Sequence, residues 1–352
     1  AAYMNVFFSF EGLILFLFFY MNLLKIILTI LLITFLSCEK AINIQVGAKD
    51  SQLVVEGYIQ QGYPAYVFLT KSEAYFNPID SSTLEDISVE NAKVFIERED
   101  GISHQLTKIN KHILDSLDII DSLEIPFNSL YVDLSYQENE FSMAGYKYKL
   151  IIEWNNQTIS ANTSIPPQYP IDSVWVKKKD ITESDYKCYI WARINDPDTL
   201  GNSALIYFKR DLGWKPMDPL FIPSAISVRT DDLVNGENFE AMFARSGKIS
   251  DEDGFLLPFK ADRVINGEFI RKDIVIIRIS HIDRTIYNFW RSAERSRNGT
   301  GNPFSEPMNL VGNIDGALGV WGGYGVSYYY IPIVPDTVIY NTYDDVNVFQ
   351  IF

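Results

Sequence analysis

Apolar and polar residues alternate along most of the chain, and this alternation predicts a series of short β-strands. In residues 53–59 and 92–97, every second position faces one way and is mostly apolar, as expected for a strand with one buried face. Turn-forming pairs such as Asp100-Gly101 separate these segments roughly every ten residues. The pattern predicts a mainly β protein built from antiparallel, immunoglobulin-like β-sandwiches.

The strand pattern of the first half stops at Pro166-Pro167, where two prolines remove backbone donors. We therefore predict a boundary between two domains at this point. Residues 52–165 would form an N-terminal β-sandwich domain, and residues 168–352 would form a C-terminal β-rich domain.

One segment of the second half has helical rather than strand periodicity, and it predicts an amphipathic helix over residues 283–298. Asp283 can cap its N-terminus, and Asn298-Gly299 can end it. Between these ends, four apolar side chains recur at the i, i+3, i+4, i+7 spacing that places them on one face: Ile286, Phe289, Trp290 and Ala293.

The N-terminal region predicts a lipoprotein signal peptide over residues 21–37. Lys25 precedes an apolar run that is short for a membrane span, and the run ends in Leu36-Ser37-Cys38. A small residue followed by cysteine resembles a lipobox, so we expect cleavage after Ser37 and lipidation of Cys38. Residues 38–51 would then form the lipidated cysteine and a tether.

The first twenty residues are also apolar, and two interpretations are open. Since Met21 begins a complete signal by itself, we expect residues 1–20 to be upstream sequence translated from a start assigned too early. The alternative is a transmembrane anchor over residues 12–36, in which Cys38 is incidental.

The net charge of the chain restricts the classes of partner that we expect it to bind. The formal net charge is −15, and no stripe of Lys and Arg is present, so binding to nucleic acid or to an anionic membrane surface through basic residues is not expected. Attachment to the outer membrane would depend on the N-terminal lipid. Cys188, the second of the two cysteines, lies in a strand-like run and is expected to be a small core residue.

The sequence predicts no catalytic apparatus, cofactor site or metal site. None of the three histidines is near another or near a cysteine at a metal-ligand spacing, and no nucleophile elbow or phosphate-binding loop occurs. Asp196-Pro197-Asp198 and residues 251–254 could offer oxygen ligands to Ca²⁺, but acidic turns explain both segments better. We therefore predict that the protein is not an enzyme.

Several motifs together resemble one known family, the Bacteroidota outer-membrane lipoproteins catalogued as domain of unknown function forty-two forty-nine. The resemblance runs from the signal to the C-terminus, and its most specific part is the block from Asn302 to Tyr324. Ala317-Leu318 departs from the pattern, since a second glycine is expected there. The other motifs are the lipobox, Asn195–Asp198 with Gly201-Asn202, Thr230–Gly236 and Ile286–Trp290.

The resemblance implies a lipid-anchored protein of the outer membrane, at the cell surface rather than the periplasmic face, that is encoded beside a TonB-dependent receptor. It supplies no catalytic residues. We predict an accessory or ligand-capture partner of such a transporter, with a small-molecule or glycan ligand that the sequence does not specify. The alternatives are a surface glycan-active enzyme that uses a carboxylate pair, and a cell-envelope adhesion or structural module.

The Asn302–Tyr324 block also supplies the predicted contact surface, because its glycines allow close backbone approach and its aromatic side chains offer contact area. The alternative is that these glycines only turn strands inside the fold. The residues of this predicted partner or ligand surface are Asn302, Pro303, Phe304, Trp321, Gly322, Gly323 and Tyr324.

Overall fold

The computed structural model divides the chain into two compact units, Ala1–Lys49 and Asp50–Phe352. The residues that it describes are 10–35, 51–72, 87–89, 91–110, 129–137, 140–169, 171–179, 187–211, 221–247, 256–257, 259–260, 264–265, 268–269, 274–299, 310–333 and 338–339.

The first unit contains one helix, α1 (Phe10–Phe35). Its side chains are described from Phe16 to Leu28, and every large apolar side chain in that stretch is exposed. Within the part of the chain whose placement is described, no helix is both long and apolar enough to cross a membrane. Ser37, Cys38 and most of the predicted tether lie outside the described residues.

The second unit is built almost entirely of strands, with one helix, α2 (Arg284–Gly299), among its described residues. Its strands in chain order are β1 (Leu53–Gln60), β2 (Tyr66–Lys71), β3 (Lys93–Arg98), β4 (Ser103–Gln105), β5 (Thr107–Asn110), β6 (Ser129–Val132), β7 (Lys147–Trp154), β8 (Gln157–Ser164), β9 (Ile171–Lys178), β10 (Lys187–Asn195), β11 (Ser203–Asp211), β12 (Ile222–Thr230), β13 (Asn238–Phe243), β14 (Arg245–Ser246), β15 (Leu256–Leu257), β16 (Phe259–Lys260), β17 (Val264–Ile265), β18 (Glu268–Phe269), β19 (Ile274–Ile282), β20 (Ile314–Asp315), β21 (Leu318–Pro332) and β22 (Val338–Ile339).

The described strands form one sheet of ten strands, two sheets of five strands and one sheet of two strands. The main sheet has ten strands in the order β15-β14-β12-β11-β19-β21-β1-β2-β6-β5, and all its neighbours are antiparallel except β1 and β21, which are parallel. The second sheet has the order β20-β8-β7-β3-β4. The third has the order β13-β10-β9-β22, with β16 also paired to β10, while β17 and β18 pair separately.

Strand β21 is central to the packing because both of its faces are buried. Successive side chains of a strand point to opposite faces. On one face, Trp321 belongs to a first core with strands of the second sheet, and Tyr329 belongs to a second core with strands of the third sheet. On the other face, Val320 and Tyr324 belong to a third core that includes residues of α2.

The predicted mainly β, sheet-on-sheet architecture is confirmed, but the immunoglobulin-like detail is not. Two separate sandwiches would share no strand, whereas β21 contributes to the cores on both sides of residues 166–167. The residues from Asp50 to Phe352 form one compact unit. The predicted boundary lies between two cores of that unit.

The boundary segment itself passes directly over β21. A β-carbon at Gly323 would collide with the carbonyl oxygen of Ser164, and one at Gly325 would collide with that of Pro166. The Gly323 amide also donates a hydrogen bond of 2.8 Å to Thr163 Oγ1. Glycine is required at these positions because main chain occupies the space where a side chain would be.

The predicted helix is confirmed, together with its cap. The Asp283 Oδ1 atom accepts hydrogen bonds from the amides of Thr285 at 2.9 Å and Ile286 at 3.0 Å. Its Oδ2 atom accepts from Thr163 Oγ1 at 3.2 Å and from the Ser164 amide at 3.2 Å. One carboxylate thus caps α2 and holds the end of β8 against it.

Candidate functional site: a cavity lined by Asp196, Asp231 and His281

The predicted contact surface is not a surface where the structure describes it. Trp321 is fully buried, its ring lies against Gly57, and its Nε1 atom donates to the carbonyl oxygen of Tyr148 at 3.3 Å. Tyr324 is buried and accepts a hydrogen bond of 3.1 Å from Trp290 Nε1.

Gly322 and Gly323 are buried on the same strand as Trp321 and Tyr324, so these four residues form interior packing. The prediction of an exposed contact surface is therefore wrong for them, because both faces of β21 are covered. The remaining predicted residues, Asn302, Pro303 and Phe304, lie outside the described residues, as do Ser37 and Cys38.

A small cavity lies between the main sheet and the third sheet, at one end of the second core. Its volume is about 70 Å³, and it is partly open to solvent. Its walls are largely aliphatic and include Ile194 and Ile279. Seven polar residues also line it: Tyr169, Asp196, Asn202, Arg229, Thr230, Asp231 and His281.

Three local features of the chain place the ionisable groups at this cavity. Asp196 directly follows β10, Asp231 directly follows β12, and His281 lies near the end of β19. Strands β11, β12 and β19 are neighbours in the main sheet, whereas β10 belongs to the third sheet. The cavity is thus formed where two sheets that pack face to face both end.

The loops that follow β10 and β12 are fastened to each other by these carboxylates. Asp231 Oδ2 accepts hydrogen bonds of 2.9 Å from the amides of both Gly201 and Asn202. Asp196 Oδ2 accepts one of 3.3 Å from the Gly236 amide. The motifs at residues 195–202 and 230–236, which are separate in the sequence, therefore meet at the cavity.

Both carboxylates are buried, and neither has a cationic partner in the part of the chain that the structure describes. Asp196 is 6% exposed and Asp231 is 3% exposed, and neither forms an ion pair with a described residue. Arg229 also lines the cavity, but its guanidinium donates to the carbonyl oxygens of Ile226 and Met242 and lies over the Phe243 ring. The cavity thus carries more negative than positive charge.

Burial also shifts the acid–base properties of these groups. Desolvation raises the pKa of Asp196; the hydrogen bond from Gly236 opposes this shift, and the charge of Asp231 adds to it. Burial, followed by the charges of Asp196 and Asp231, raises the pKa of Tyr169. These shifts arise because a charged carboxylate or phenolate has lost its hydration shell.

His281 is the least satisfied polar side chain of the site. It is 3% exposed, and neither ring nitrogen has a hydrogen-bond partner of ordinary geometry among the described residues. Its ring lies against that of Tyr169, with the centroids 3.8 Å apart. Burial lowers the pKa of His281 to about 4, so the imidazole is neutral at pH 7 and offers one donor and one acceptor nitrogen.

This arrangement suits the binding of a small polar group better than the turnover of a large substrate. A cavity volume of about 70 Å³ has room for a few water molecules or a group of similar size. Among the described residues, no group of three or more His, Cys, Asp or Glu side chains is placed to hold a metal ion. Sequence analysis missed this cavity, although Asn195–Asp198 and Thr230–Gly236 were singled out as motifs.

The fold and the cavity define a class of protein: a mainly β body with three cores around one long strand, and a small acidic cavity between two of its sheets. Residues 39–329 match the model of the family described as Domain of unknown function (DUF4249), and the chain belongs to that family. The resemblance identified in the sequence is thereby confirmed at the level of the family. A search of curated proteins finds no match to the chain.

Proposed function

We propose that the protein is a lipid-anchored outer-membrane protein that acts, without catalysis, as an accessory or ligand-capture partner of a TonB-dependent transporter. One observation carries this proposal: the family match begins at residue 39, immediately after Cys38. The conserved-domain match therefore starts where lipoprotein processing would begin the mature body. N-terminal to Cys38 in the sequence is α1, whose described side chains are exposed and, apart from Asn22 and Lys25, apolar.

The charge of the chain supports attachment by lipid. A formal net charge of −15 disfavours adhesion to anionic headgroups, whereas each buried acyl methylene contributes about 0.8 kcal/mol of membrane affinity. Since stable anchoring needs more than one acyl chain, a triacylated cysteine would hold the body durably at the membrane.

A contact region for the transporter is proposed at the loops that close the cavity. Leu200 and Leu233 lie in these two loops, and they are 73% and 97% exposed. Large apolar side chains held this far into solvent are common at protein–protein contacts. The hydrogen bonds of Asp231 and Asp196 between the loops would hold both leucines in fixed positions.

The attachment is tested by substitution of the cysteine. Cys38→Ser should abolish incorporation of labelled palmitate and release the body from the membrane fraction. Cys188→Ser is the matched control, because Cys188 is the other cysteine of the chain and is buried in the second core. Retention of label by the Cys38→Ser variant would refute lipidation at this residue.

The partnership is tested by recovery of the tagged full chain from its native outer membrane in mild detergent, followed by mass spectrometry. A single TonB-dependent receptor at a near-equal amount is the expected result. Leu233→Asp should reduce that recovery, whereas Leu134→Asp, at a position 63% exposed outside the cavity loops, should not. Recovery of the chain alone would overturn the partnership and favour an adhesion module or a glycan-active enzyme.

A further inference from the structure

The cavity contains buried negative charge that the described part of the protein does not neutralise. Buried carboxylates are normally paired, because an ion removed from water loses several kcal/mol of hydration in practice. Asp231 is at least surrounded by main-chain donors, from Gly201 and Asn202. Asp196 has a single donor, the Gly236 amide on Oδ2, and no described residue donates to its Oδ1 atom.

A second, independent observation is the unpartnered imidazole on the opposite wall. His281 comes from the main sheet, whereas Asp196 comes from the end of the third sheet. The His281 side chain is 97% buried and lines the same cavity, and neither nitrogen has a hydrogen bond of ordinary geometry with a described residue. A weak hydrogen bond to the Tyr169 main chain can engage only one of the two nitrogens, so the other stays available to a ligand. An orphaned buried nitrogen costs about 1–3 kcal/mol, so its retention beside a cavity points to a ligand that supplies the missing hydrogen bond.

The missing group must therefore be cationic, compact and a hydrogen-bond donor. We propose that the cavity binds the ammonium group of a small primary amine, with Asp196 as its counter-ion and a neutral nitrogen of His281 as a second acceptor. An ammonium has three donors, so one remains for solvent at the opening. This inference deepens the ligand-capture part of the proposed function and rests on that function for its biological role.

The size and lining of the cavity restrict which amines fit. About 70 Å³ accommodates the ammonium and the adjacent methylene group, and the rest of the molecule extends through the opening. The aliphatic walls at Ile194 and Ile279 favour an alkyl chain next to the charge. A quaternary ammonium is excluded on two grounds, since it is bulkier and has no N–H to donate.

The test is isothermal titration calorimetry on the full chain in mild detergent at neutral pH. n-Butylammonium is the probe; n-butanol is its neutral counterpart, and tetramethylammonium is a cation without donors. Saturable binding of n-butylammonium alone is expected. A free amine and a peptide lysine carry the same group, so N-acetyl-lysine methylamide is titrated as well, and its binding relative to n-butylammonium identifies the source.

Two substitutions at the cavity and one control examine the proposed site. Asp196→Asn should weaken n-butylammonium at least about tenfold, the loss expected on removal of one charged hydrogen bond. Asp172→Asn, at an exposed position of β9, should leave binding unchanged. Val234→Phe fills space at the cavity wall without a change of charge, and it should abolish the binding of n-butylammonium.

A measurement on the unsubstituted protein keeps the proposal testable if these variants fail to fold. The chain has three histidines, so the Hε1 signal of His281 can be assigned in the NMR spectrum with His281→Gln. This signal should shift with n-butylammonium and not with n-butanol. An unmoved signal without saturable heat, or equal binding of n-butanol, would overturn the proposal.

The transporter partnership and the amine-binding cavity can be refuted independently of each other. Co-purification of a transporter without amine binding would overturn this inference and leave the partnership intact. Amine binding without a transporter would support the cavity assignment and remove the partnership.

Discussion

Removal of the buried imidazole should change how the stability of the fold depends on pH. His281 has an ordinary pKa of about 6.5 in an unfolded chain, and burial lowers the pKa of His281 to about 4 in the folded state. At a pH between these two pKa values, the unfolded chain binds a proton at His281 that the folded chain does not bind. The free energy of unfolding therefore decreases as the pH falls through this window.

The size of the effect follows from the same two values. One pKa unit corresponds to about 1.4 kcal/mol, so a fall from pH 8 to pH 5 should remove about 2 kcal/mol through His281 alone. Asp196 contributes with the opposite sign, because its raised pKa favours protonation of the folded state at low pH. That contribution is common to the native protein and a His281 variant, so it cancels in their difference.

The assay compares the native chain with His281→Phe, which keeps an aromatic ring against Tyr169 and cannot titrate. Urea unfolding followed by tryptophan fluorescence gives the free energy of unfolding at several pH values from 8 to 5. The native protein should lose about 2 kcal/mol more than the variant over this range. Parallel curves for the two proteins would refute the neutral, buried state of His281.

Two further predictions concern the segment that crosses β21 and the start of α2. Gly323→Ala should destabilise the fold by about 1–3 kcal/mol, because the added methyl group collides with the Ser164 carbonyl, whereas Leu318→Ala at a 47% exposed position of the same strand should have little effect in urea unfolding. Asp283→Ala should cost about 1–2 kcal/mol through loss of the cap, and Asp283→Asn should cost less, because asparagine is a comparable capping residue. Equal stability of the Ala and Asn variants would contradict the capping role.

The local elements could be predicted from sequence because each depends on neighbouring residues. Alternation at period two in segments such as β1 and β7 reflects a strand with one buried face. Asp283 and the apolar spacing after it were sufficient for α2, since a cap and a helical face are encoded within a few turns. The family could also be identified from motifs that are contiguous in the chain.

The pairing of distant segments could not be predicted in this way. β1 and β21 come from opposite ends of the second unit, yet they pair in parallel and unite the predicted domains in one sheet. The aromatic and glycine residues of β21 were predicted to form an exposed contact surface. Nothing in their local sequence reveals that the main chain at Ser164 and Pro166 packs directly against this strand.

The sequence by itself therefore determined the strands, the helix, the net charge and the family, which depend on composition and short-range periodicity. Only the tertiary structure decided that Trp321 is interior and that Asp196, Asp231 and His281 share a cavity. The physical reason is that the alternation along a strand assigns each side chain to one face of the sheet. The elements that pack on that face then decide whether the side chain is buried and which charged groups lie near it.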